Sequence, residues 1–312
     1  MNKLCAILPI LLGRQGGFPL REENKWRTFL LAFTLTLMLL AFLMVLTVMA
    51  VQPSMPRQNI RDDPPEISYR PTAGDALTMV VVGRAQDGSA GDFLLIRFNP
   101  QYGQVPLALL PPETLVTLGG ERLTLAGVWE RGGGVSVREA LSERLGITVD
   151  RYAALSRDVF IRIAQKTGTV VFTLPHAISY ERDGYSINIP AGERRLDAQD
   201  VADIFSCPVF EGGALGRSEL LGDLAAAIVN QNLDAASDKL SSGLFKLAVN
   251  LVDTDVSAAD YELRREAADF VSRLDTDVSG SLAPAGTLLE GGELELSEEY
   301  VSLIRRYFGA AA

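Results

Sequence analysis

Hydrophobic residues are most concentrated in one stretch near the N-terminus, 28-TFLLAFTLTLMLLAFLMVLTVMAV-51, which contains no charged side chain. As a helix, these 24 residues would extend about 36 Å, which exceeds a hydrocarbon core of about 30 Å. A cleaved signal peptide has a shorter apolar region and a small-x-small cleavage site, and no such site follows at Val51-Gln52-Pro53. The pattern therefore predicts an uncleaved transmembrane helix over 28–51.

The remaining chain divides according to where apolar periodicity is present. Residues 52–73 are rich in Pro, Arg and Asp and show no periodicity, which is typical of an extended tether. Periodic segments begin near Gly74, and a stretch rich in Gly, Ser, Pro and Thr over 275–296 reads as a loop or a strand-turn excursion. We therefore predict a stub over 1–27, the transmembrane helix, the tether, a domain over 74–275, and a C-terminal loop and helix over 276–312 packed on or beside that domain.

Three short runs in the domain have the composition of buried strands. They are 77-LTMVVVG-83, 93-FLLIRFNP-100 and 105-VPLALL-110, all rich in Leu, Val, Ile or Phe. Apolarity in these runs is nearly continuous rather than alternating, which indicates strands that are covered on both faces.

Capping residues mark the predicted helices. Ser136 with Glu139 resembles a capping box for a helix over 137–145, and Gly146 suits its C-terminus. Ser156 begins a helix over 157–167, which Gly168 ends and a strand over 169–175 follows. Further helices are predicted over 219–233, over 258–274 after Ser257, and from Ser297 to Gly309. Strands alternating with helices in this way predict a right-handed crossover and a layered α/β domain.

Charge sets the expected orientation and excludes one class of partner. Before the span, the chain carries two acidic side chains and five basic ones, which are Lys3, Arg14, Arg21, Lys25 and Arg27. This bias places the N-terminus in the cytoplasm and everything after the span outside, in a single-pass protein of the cell membrane. The formal net charge is −10, and the excess of negative charge lies after the span. Nucleic acid is therefore not an expected partner, and the stub is too short for a DNA-binding fold.

Cysteine and histidine chemistry is sparse. Cys5 falls on the cytoplasmic side and Cys207 outside, so the two cannot pair, and Cys207 is expected to be a small buried side chain. His176 is the only histidine, and its place beside Pro175 favours a structural or surface role. No phosphate-binding loop, dinucleotide motif or zinc motif is present, which excludes a metal bound by sulfur or imidazole.

The loop 83-GRAQDGSAGD-92 carries two carboxylates between predicted strands. In an open α/β sheet such loops often hold ligands, and Asp87 and Asp92 offer oxygen ligands suited to Mg²⁺. The alternative is a Gly/Asp turn whose side chains bond their own backbone. The residues alone leave both interpretations open.

The order of these segments resembles the LytR-CpsA-Psr family over roughly residues 75–275. The elements that carry the resemblance are the strand ending at Gly83, 92-DFLLIRFNP-100, 109-LLPPET-114, Gly132-Gly133, 145-LGITVDRYAALSRDVFIRIAQKTGTVVF-172, 189-IPAGERRLDAQDVADIF-205, Gly216-Arg217 and 252-VDTDVS-257. The resemblance implies an α/β/α sandwich with a central mixed sheet. It also implies a membrane-anchored phosphotransferase that moves glycopolymers from a polyprenyl-pyrophosphate carrier to the cell wall, with Mg²⁺ on the pyrophosphate.

The sequence departs from the family pattern where the chemistry is expected. The family's Arg-x-Asp-Thr reads Ala90-Gly91-Asp92-Phe93, which keeps the aspartate and loses the arginine. Its Pro-Arg-Asp-Thr loop reads Pro111-Pro112-Glu113-Thr114, so a proline without charge or donor replaces an arginine. The family's earlier aspartate is Ala85 here.

Later family positions are lost as well. By register, two paired arginines fall on Ser206 and Pro208, and the Gly-Arg-x-x-Arg-Gln motif keeps only Gly216 and Arg217. By resemblance, the surviving candidates are Asp92 and Asp87 for a metal, Arg217, Arg84 and Arg97 for phosphate, and Glu113 and Arg217 for catalysis.

Two functional hypotheses follow. The first is a binding or scaffold protein of the cell envelope that keeps the fold without catalysis, with a polyprenyl-linked glycopolymer or active relatives as partners and the bilayer contacted through 28–51. The second is a Mg²⁺-dependent glycopolymer phosphotransferase with a rearranged site. The helix over 219–233 is apolar beyond one narrow stripe, which suits a lipid slot, although core packing on the sheet is the favoured interpretation.

Overall fold

The computed structural model describes residues 69–84, 89–182, 185–239, 242–274 and 276–309. The predicted stub, transmembrane helix and most of the tether lie outside these residues, as does Asp87. Within the described ranges, no helix has the length and apolarity needed to cross a bilayer.

The described residues form both strands and α-helices. The strands are β1 (Leu77–Arg84), β2 (Ala90–Phe98), β3 (Val105–Leu110), β4 (Leu115–Leu118), β5 (Glu121–Thr124), β6 (Arg151–Ser156), β7 (Val170–Leu174), β8 (Ile178–Arg182), β9 (Tyr185–Ile189), β10 (Gly192–Leu196), β11 (Asp253–Thr254), β12 (Ser279–Ser281), β13 (Gly286–Leu288) and β14 (Leu294–Leu296). The helices are α1 (Leu125–Leu145), α2 (Arg157–Ala164), α3 (Ala198–Ser206), α4 (Gly213–Lys239), α5 (Ser242–Leu251), α6 (Ala258–Ser272) and α7 (Glu298–Phe308).

A mixed six-stranded sheet forms the centre of the domain, in the order β11-β6-β1-β2-β3-β12. Strands β1, β2 and β3 are antiparallel neighbours, while β6 runs parallel to β1 and β12 parallel to β3. All of Leu77–Gly83 and Val105–Leu110 is buried. Because successive side chains point to opposite faces, this continuous burial means that both faces of the sheet are covered. The three predicted strands and the mixed sheet are confirmed.

Helix α1 corrects the prediction at its N-terminus. It begins after Thr124, whose side chain accepts a hydrogen bond from the Gly127 amide, and not after Ser136. Gly132 and Gly133 interrupt it with non-helical dihedrals, and Gly133 has a φ of 60°. Ser136 already lies inside the helical stretch that follows, so the predicted capping box was wrong. The C-terminus was right, because Gly146 takes the left-handed conformation.

The strand predicted over 169–175 exists as β7, but it does not join the central sheet. It pairs with β10 in a separate two-stranded sheet. The crossover from β3 through α1 leads instead to β6, which the apolar pattern did not single out. Its buried residues are Ala153, Ala154 and Leu155, and alanine favours helix over strand.

Local capping signals elsewhere predicted three helix starts correctly, although α2 ends at Ala164 and not at the predicted residue 167. Ser156 caps α2, Ser257 forms a capping box with Asp260 for α6, and Ser297 caps α7, which ends before Gly309. Helix α4 is longer than predicted, and its apolar residues are buried in the core: Leu221, Leu224, Ala225, Ile228 and Val229. Core packing, the favoured interpretation of that helix, is therefore correct for these positions.

The segment over 275–296, predicted as a loop or as strands with turns, contains strands. Strand β12 completes the central sheet beside β3, and β13 and β14 form a hairpin.

Candidate functional site

The candidate site centres on a carboxylate at the start of β2. Asp92 is buried, with only 1% of its surface exposed. Both of its oxygens accept hydrogen bonds from Arg217 Nη1, at 2.6 and 2.5 Å. A buried carboxylate needs such a partner, because moving a charge from water into a protein interior costs on the order of several kcal/mol. Asp92 and Arg217, singled out separately in the sequence, therefore form one closed ion pair.

The backbone around the start of α4 positions Arg217. Gly216 packs so closely on the chain that a Cβ at this position would lie 2.4 Å from the Glu211 carbonyl oxygen. From the next position, Arg217 Nη2 donates a 2.8 Å hydrogen bond to the Phe205 carbonyl. Its guanidinium also lies 5.8 Å from the centroid of the Phe210 ring. Hydrogen bonds and a cation–π contact therefore hold the arginine from several sides.

The segment Pro111-Pro112-Glu113-Thr114 is a turn anchored by backbone bonds. The Thr114 amide donates to the Pro111 carbonyl at 3.1 Å, and the Leu294 amide donates to the Glu113 carbonyl at 2.9 Å. Although the Glu113 residue is exposed overall, desolvation raises the pKa of its carboxyl; the charge of Asp92 raises it further, and Arg217 opposes this. The structure therefore brings Glu113 within electrostatic range of the ion pair.

The two other arginine candidates lie at opposite ends of the sheet. Arg84, at the end of β1, pairs in register with Ala90 and so shares the end of the sheet that carries Asp92. Its Nη1 lies 4.0 Å from Asp253 Oδ2, and about a third of its side chain is exposed. Arg84 therefore lies near the site, and its closest ion pair among the described residues is the long contact with Asp253.

Arg97 does not join the site. It lies five positions after Asp92 on β2, which corresponds to about 17 Å along an extended strand. Its Nη1 donates a 2.9 Å hydrogen bond to Thr78 Oγ1, and burial lowers the pKa of the guanidinium. The proposed role of Arg97 as a phosphate ligand beside Asp92 is therefore not compatible with this geometry.

The described residues do not fit a Mg²⁺ site. Arg217 occupies both oxygens of Asp92. Among the residues that the structure describes, no three side chains of Asp, Glu, His or Cys come together in a way that would hold a metal ion. Oxygen ligands in sufficient number are what Mg²⁺ requires of a protein, and here one carboxylate is already neutralised.

Sequence reasoning missed several features of the site. Phe210 was not recognised as a contact of Arg217, although an aromatic residue just before Gly212 was a usable signal. Thr114 and Ser218 each bury a hydroxyl that has no hydrogen-bond partner within the described ranges, and each adjoins a candidate site residue. At the lost arginine positions, Ser206 is buried and its hydroxyl donates to the Ala202 carbonyl. The structure therefore uses that position for helix packing.

A groove of about 460 Å³ opens next to the ion pair. Its walls come from the turn between β7 and β8, the segment before α4 and the first turns of α4: Pro175, His176, Ala177, Ile178, Val209, Phe210, Glu211, Gly212, Gly216, Glu219, Leu220 and Asp223. His176 Nδ1 lies 3.2 Å from Glu211 Oε2, and both side chains are exposed. The only histidine is therefore a surface residue. Cys207 is buried nearby, as expected, and burial raises the pKa of its thiol.

Comparisons with known proteins identify the fold. No protein-family model matches the sequence, and a comparison with curated proteins gives no match. Among solved structures, a protein described provisionally as a transcription regulator from Eubacterium siraeum aligns with a TM-score of 0.72 at 16% identity, covering 81% of this chain and 99% of that one. TagV from B. subtilis aligns with a TM-score of 0.57 at 16% identity, covering 75% and 95% of the two chains.

A third structure, TagT bound to LI-WTA, aligns with a TM-score of 0.56 at 14% identity and covers 78% of this chain and 93% of that one. Identities this low show a shared fold and no more. The chain therefore has the mixed α/β fold of these proteins, as the resemblance implied.

Proposed function

We propose that this chain is a membrane-anchored, extracytoplasmic protein of the cell envelope that binds a partner on a LytR-CpsA-Psr fold without transferring a glycopolymer. The shared fold supports the family part of this proposal, because TagV and the structure of TagT bound to LI-WTA both align with most of this chain. The apolar segment 28–51, with its excess of preceding basic residues, supports an anchor with the domain outside.

The closed ion pair between Asp92 and Arg217 is the observation that carries the proposal. Transfer of a group from a pyrophosphate requires carboxylates for the metal and uncompensated positive charge for the phosphates. In this chain the retained aspartate and the retained arginine neutralise each other, with a 2.5 Å contact and 1% exposure at Asp92. Separating a buried pair leaves an uncompensated charge, which costs about 3–5 kcal/mol. A substrate would have to offset that cost before any chemistry began.

One observation favours the alternative, an active Mg²⁺-dependent phosphotransferase with a rearranged site. Glu113 and Arg84 lie at the same end of the sheet as Asp92, and neither forms a close ion pair with another residue that the structure describes. Glu113, with Asp87 from the neighbouring loop, would then supply metal ligands, and Arg84 would supply charge for phosphate. In that case Asp92 and Arg217 would position the loops rather than contact the substrate.

Turnover by the full chain separates the two proposals. The protein is reconstituted in lipid nanodiscs with peptidoglycan as the acceptor and a glycan on a short-chain polyprenyl pyrophosphate that is radiolabelled in the polyprenyl chain. Transfer of the glycan phosphate to an acceptor hydroxyl releases labelled polyprenyl phosphate, which is measured with Mg²⁺ and with EDTA. We expect equal background in both conditions, and the same background for the Glu113→Gln/Arg84→Gln variant. Mg²⁺-dependent release that this double variant abolishes would overturn the non-catalytic proposal and support the alternative.

A further inference from the structure

The groove beside the ion pair combines a ligand-sized volume with walls that are partly apolar and partly polar. At about 460 Å³ it falls in the size range of small-molecule sites. Phe210 and Leu220 are only partly buried, and Val209 leaves 67% of its surface exposed. Large apolar side chains left open to water at a concave site indicate contact with another molecule. The volume and these open apolar side chains therefore indicate a binding groove, and its charges decide which class of ligand fits.

Three carboxylates line the same groove: Glu211, Glu219 and Asp223. Glu211 has His176 as its neighbour, while Glu219 and Asp223 form no ion pair with any basic residue that the structure describes. Arg217 does not offset them, because its guanidinium is directed to Asp92 and the Phe205 carbonyl. The groove therefore carries an excess of negative charge.

The positions of Glu219 and Asp223 make this charge costly to the free protein. They lie four residues apart on α4, a spacing at which like charges repel. Desolvation raises the pKa of the Asp223 carboxyl, and the charge of Glu219 raises it further. A concave wall that focuses uncompensated negative charge attracts a cation and repels a pyrophosphate. Charge complementarity therefore favours a basic ligand.

The strand β8 favours an extended peptide as the form of that ligand. It begins at Ile178 in the groove wall and pairs with β9 in a sheet of two strands. Within the described ranges, its other edge has no strand partner. Extended peptides commonly bind by lying along such an edge, while pockets beside it accept alternate side chains.

We propose that this groove binds an extended basic peptide segment of a partner protein, in which a lysine or arginine side chain meets the carboxylates and flanking aliphatic residues contact Val209, Phe210 and Leu220. This inference deepens the proposed binding role and rests on it. It names the class of partner that the candidate site selects, a class opposite in charge to a polyprenyl pyrophosphate.

The test measures the binding of a labelled peptide to the full chain in nanodiscs of zwitterionic phosphatidylcholine. The probe is fluorescein-labelled Leu-Lys-Val-Lys-Leu with blocked ends, followed by fluorescence anisotropy against empty nanodiscs. The matched probes replace both lysines with glutamate or with norleucine. We expect the lysine probe to bind, the glutamate probe not to bind, and binding of the lysine probe to weaken as salt is added.

Paired variants locate the binding. Glu219→Gln/Asp223→Asn removes both charges from the groove, and we expect the Kd of the lysine probe to rise about tenfold, the change expected when about 1.4 kcal/mol is lost. The control is Glu139→Gln/Glu143→Gln, because these exposed carboxylates are also four residues apart on one helix, α1, and do not line the groove. We expect this control to leave the Kd unchanged. Removing a like-charge pair should not lower the melting temperature in either variant, so a loss of binding would not reflect unfolding.

Several outcomes would overturn the inference: no binding of the lysine probe, equal binding of the norleucine probe, or an equal loss in both variants. Competition by hexylammonium at the concentration that the peptide requires would also overturn it, since a free amine would then be sufficient. The turnover assay is independent of these results. Peptide binding together with Mg²⁺-dependent turnover would contradict the proposed function alone, while absence of both would contradict this inference alone.

Discussion

Asp92 is the residue on which the candidate site depends most. Its carboxylate is almost fully buried, and it contacts Arg217 through both oxygens. Asp92→Asn should therefore remove the countercharge that the buried Asp92 gives to Arg217 and lower the free energy of unfolding by about 3–5 kcal/mol. Urea unfolding of the chain without its predicted membrane anchor, residues 53–312, followed by circular dichroism, measures the change.

The double variant Asp92→Leu/Arg217→Met tests whether the loss of stability comes from removing the negative charge of Asp92 while Arg217 stays charged. Apolar residues of similar volume often replace a buried ion pair with little cost, so the double variant should recover most of the stability that Asp92→Asn loses. Glu139→Gln, at an exposed position of α1, is the control and should change stability by less than about 0.5 kcal/mol. A double variant less stable than Asp92→Asn would show that the pair contributes through specific hydrogen bonds.

The sequence pointed to two residues of the candidate site, Asp92 and Arg217, but not to their pairing. Asp92 and Arg217 were both candidates, yet they lie 125 positions apart, and their contact depends on how α4 meets the end of β2. The chain alone suggested opposite partners for them, a metal ion and a phosphate. Phe210 was missed for the same reason, because its contact with Arg217 follows from tertiary packing rather than from spacing.

Helix α1 and strand β6 meet where Gly134 packs against the Tyr152 ring, and no room remains for a side chain at position 134. A Cβ on Gly134 would lie 2.1 Å from the Tyr152 ring, a distance that real Cβ contacts do not reach. Gly134→Ala should therefore displace the ring or the helix and lower the free energy of unfolding by about 1–3 kcal/mol, as overpacked cores do. Thermal unfolding of the same fragment, residues 53–312, followed by circular dichroism, measures this cost.

Gly280 in β12 is the matched control for Gly134. A Cβ at Gly280 would meet no atom within 4 Å, and its φ is not positive. Gly280→Ala should therefore change stability by no more than about 0.5 kcal/mol. If both variants lost the same stability, a general cost of replacing glycine would explain the result and the Tyr152 contact would not.

Elements were predictable where the signal was local. Continuous apolar runs gave β1 to β3, and the side chains of Ser156, Ser257 and Ser297 gave the starts of three helices. Ser136 misled because serine followed by glutamate three positions later is a capping box only where the helix begins, and Gly133 starts that stretch earlier. The pairing of β7 with β10 was not predictable, since it joins residues whose contact the sequence pattern does not encode.

At the scale of the whole molecule, the candidate site and the entry of the chain lie at opposite ends of the sheet. The described chain enters near Tyr69 and reaches β1 at Leu77, and β1 ends at Arg84, beside the start of β2 that carries Asp92. The length of β1 separates the two ends by about 26 Å. A membrane anchor before the tether would therefore hold the domain by the end that lacks the site, and the groove would be open to partners in the envelope.

That arrangement requires the topology predicted from the charges around 28–51. A cysteine introduced in the tether, Gln58→Cys, should react with a membrane-impermeant maleimide in intact cells, whereas Gln15→Cys in the stub should react only after the membrane is permeabilised. The native cysteines should give little background, because Cys207 is buried in the domain and Cys5 is predicted to be cytoplasmic. Labelling of Gln15→Cys but not of Gln58→Cys in intact cells would place the domain in the cytoplasm. It would thereby contradict the proposed role in the cell envelope, whatever the groove binds.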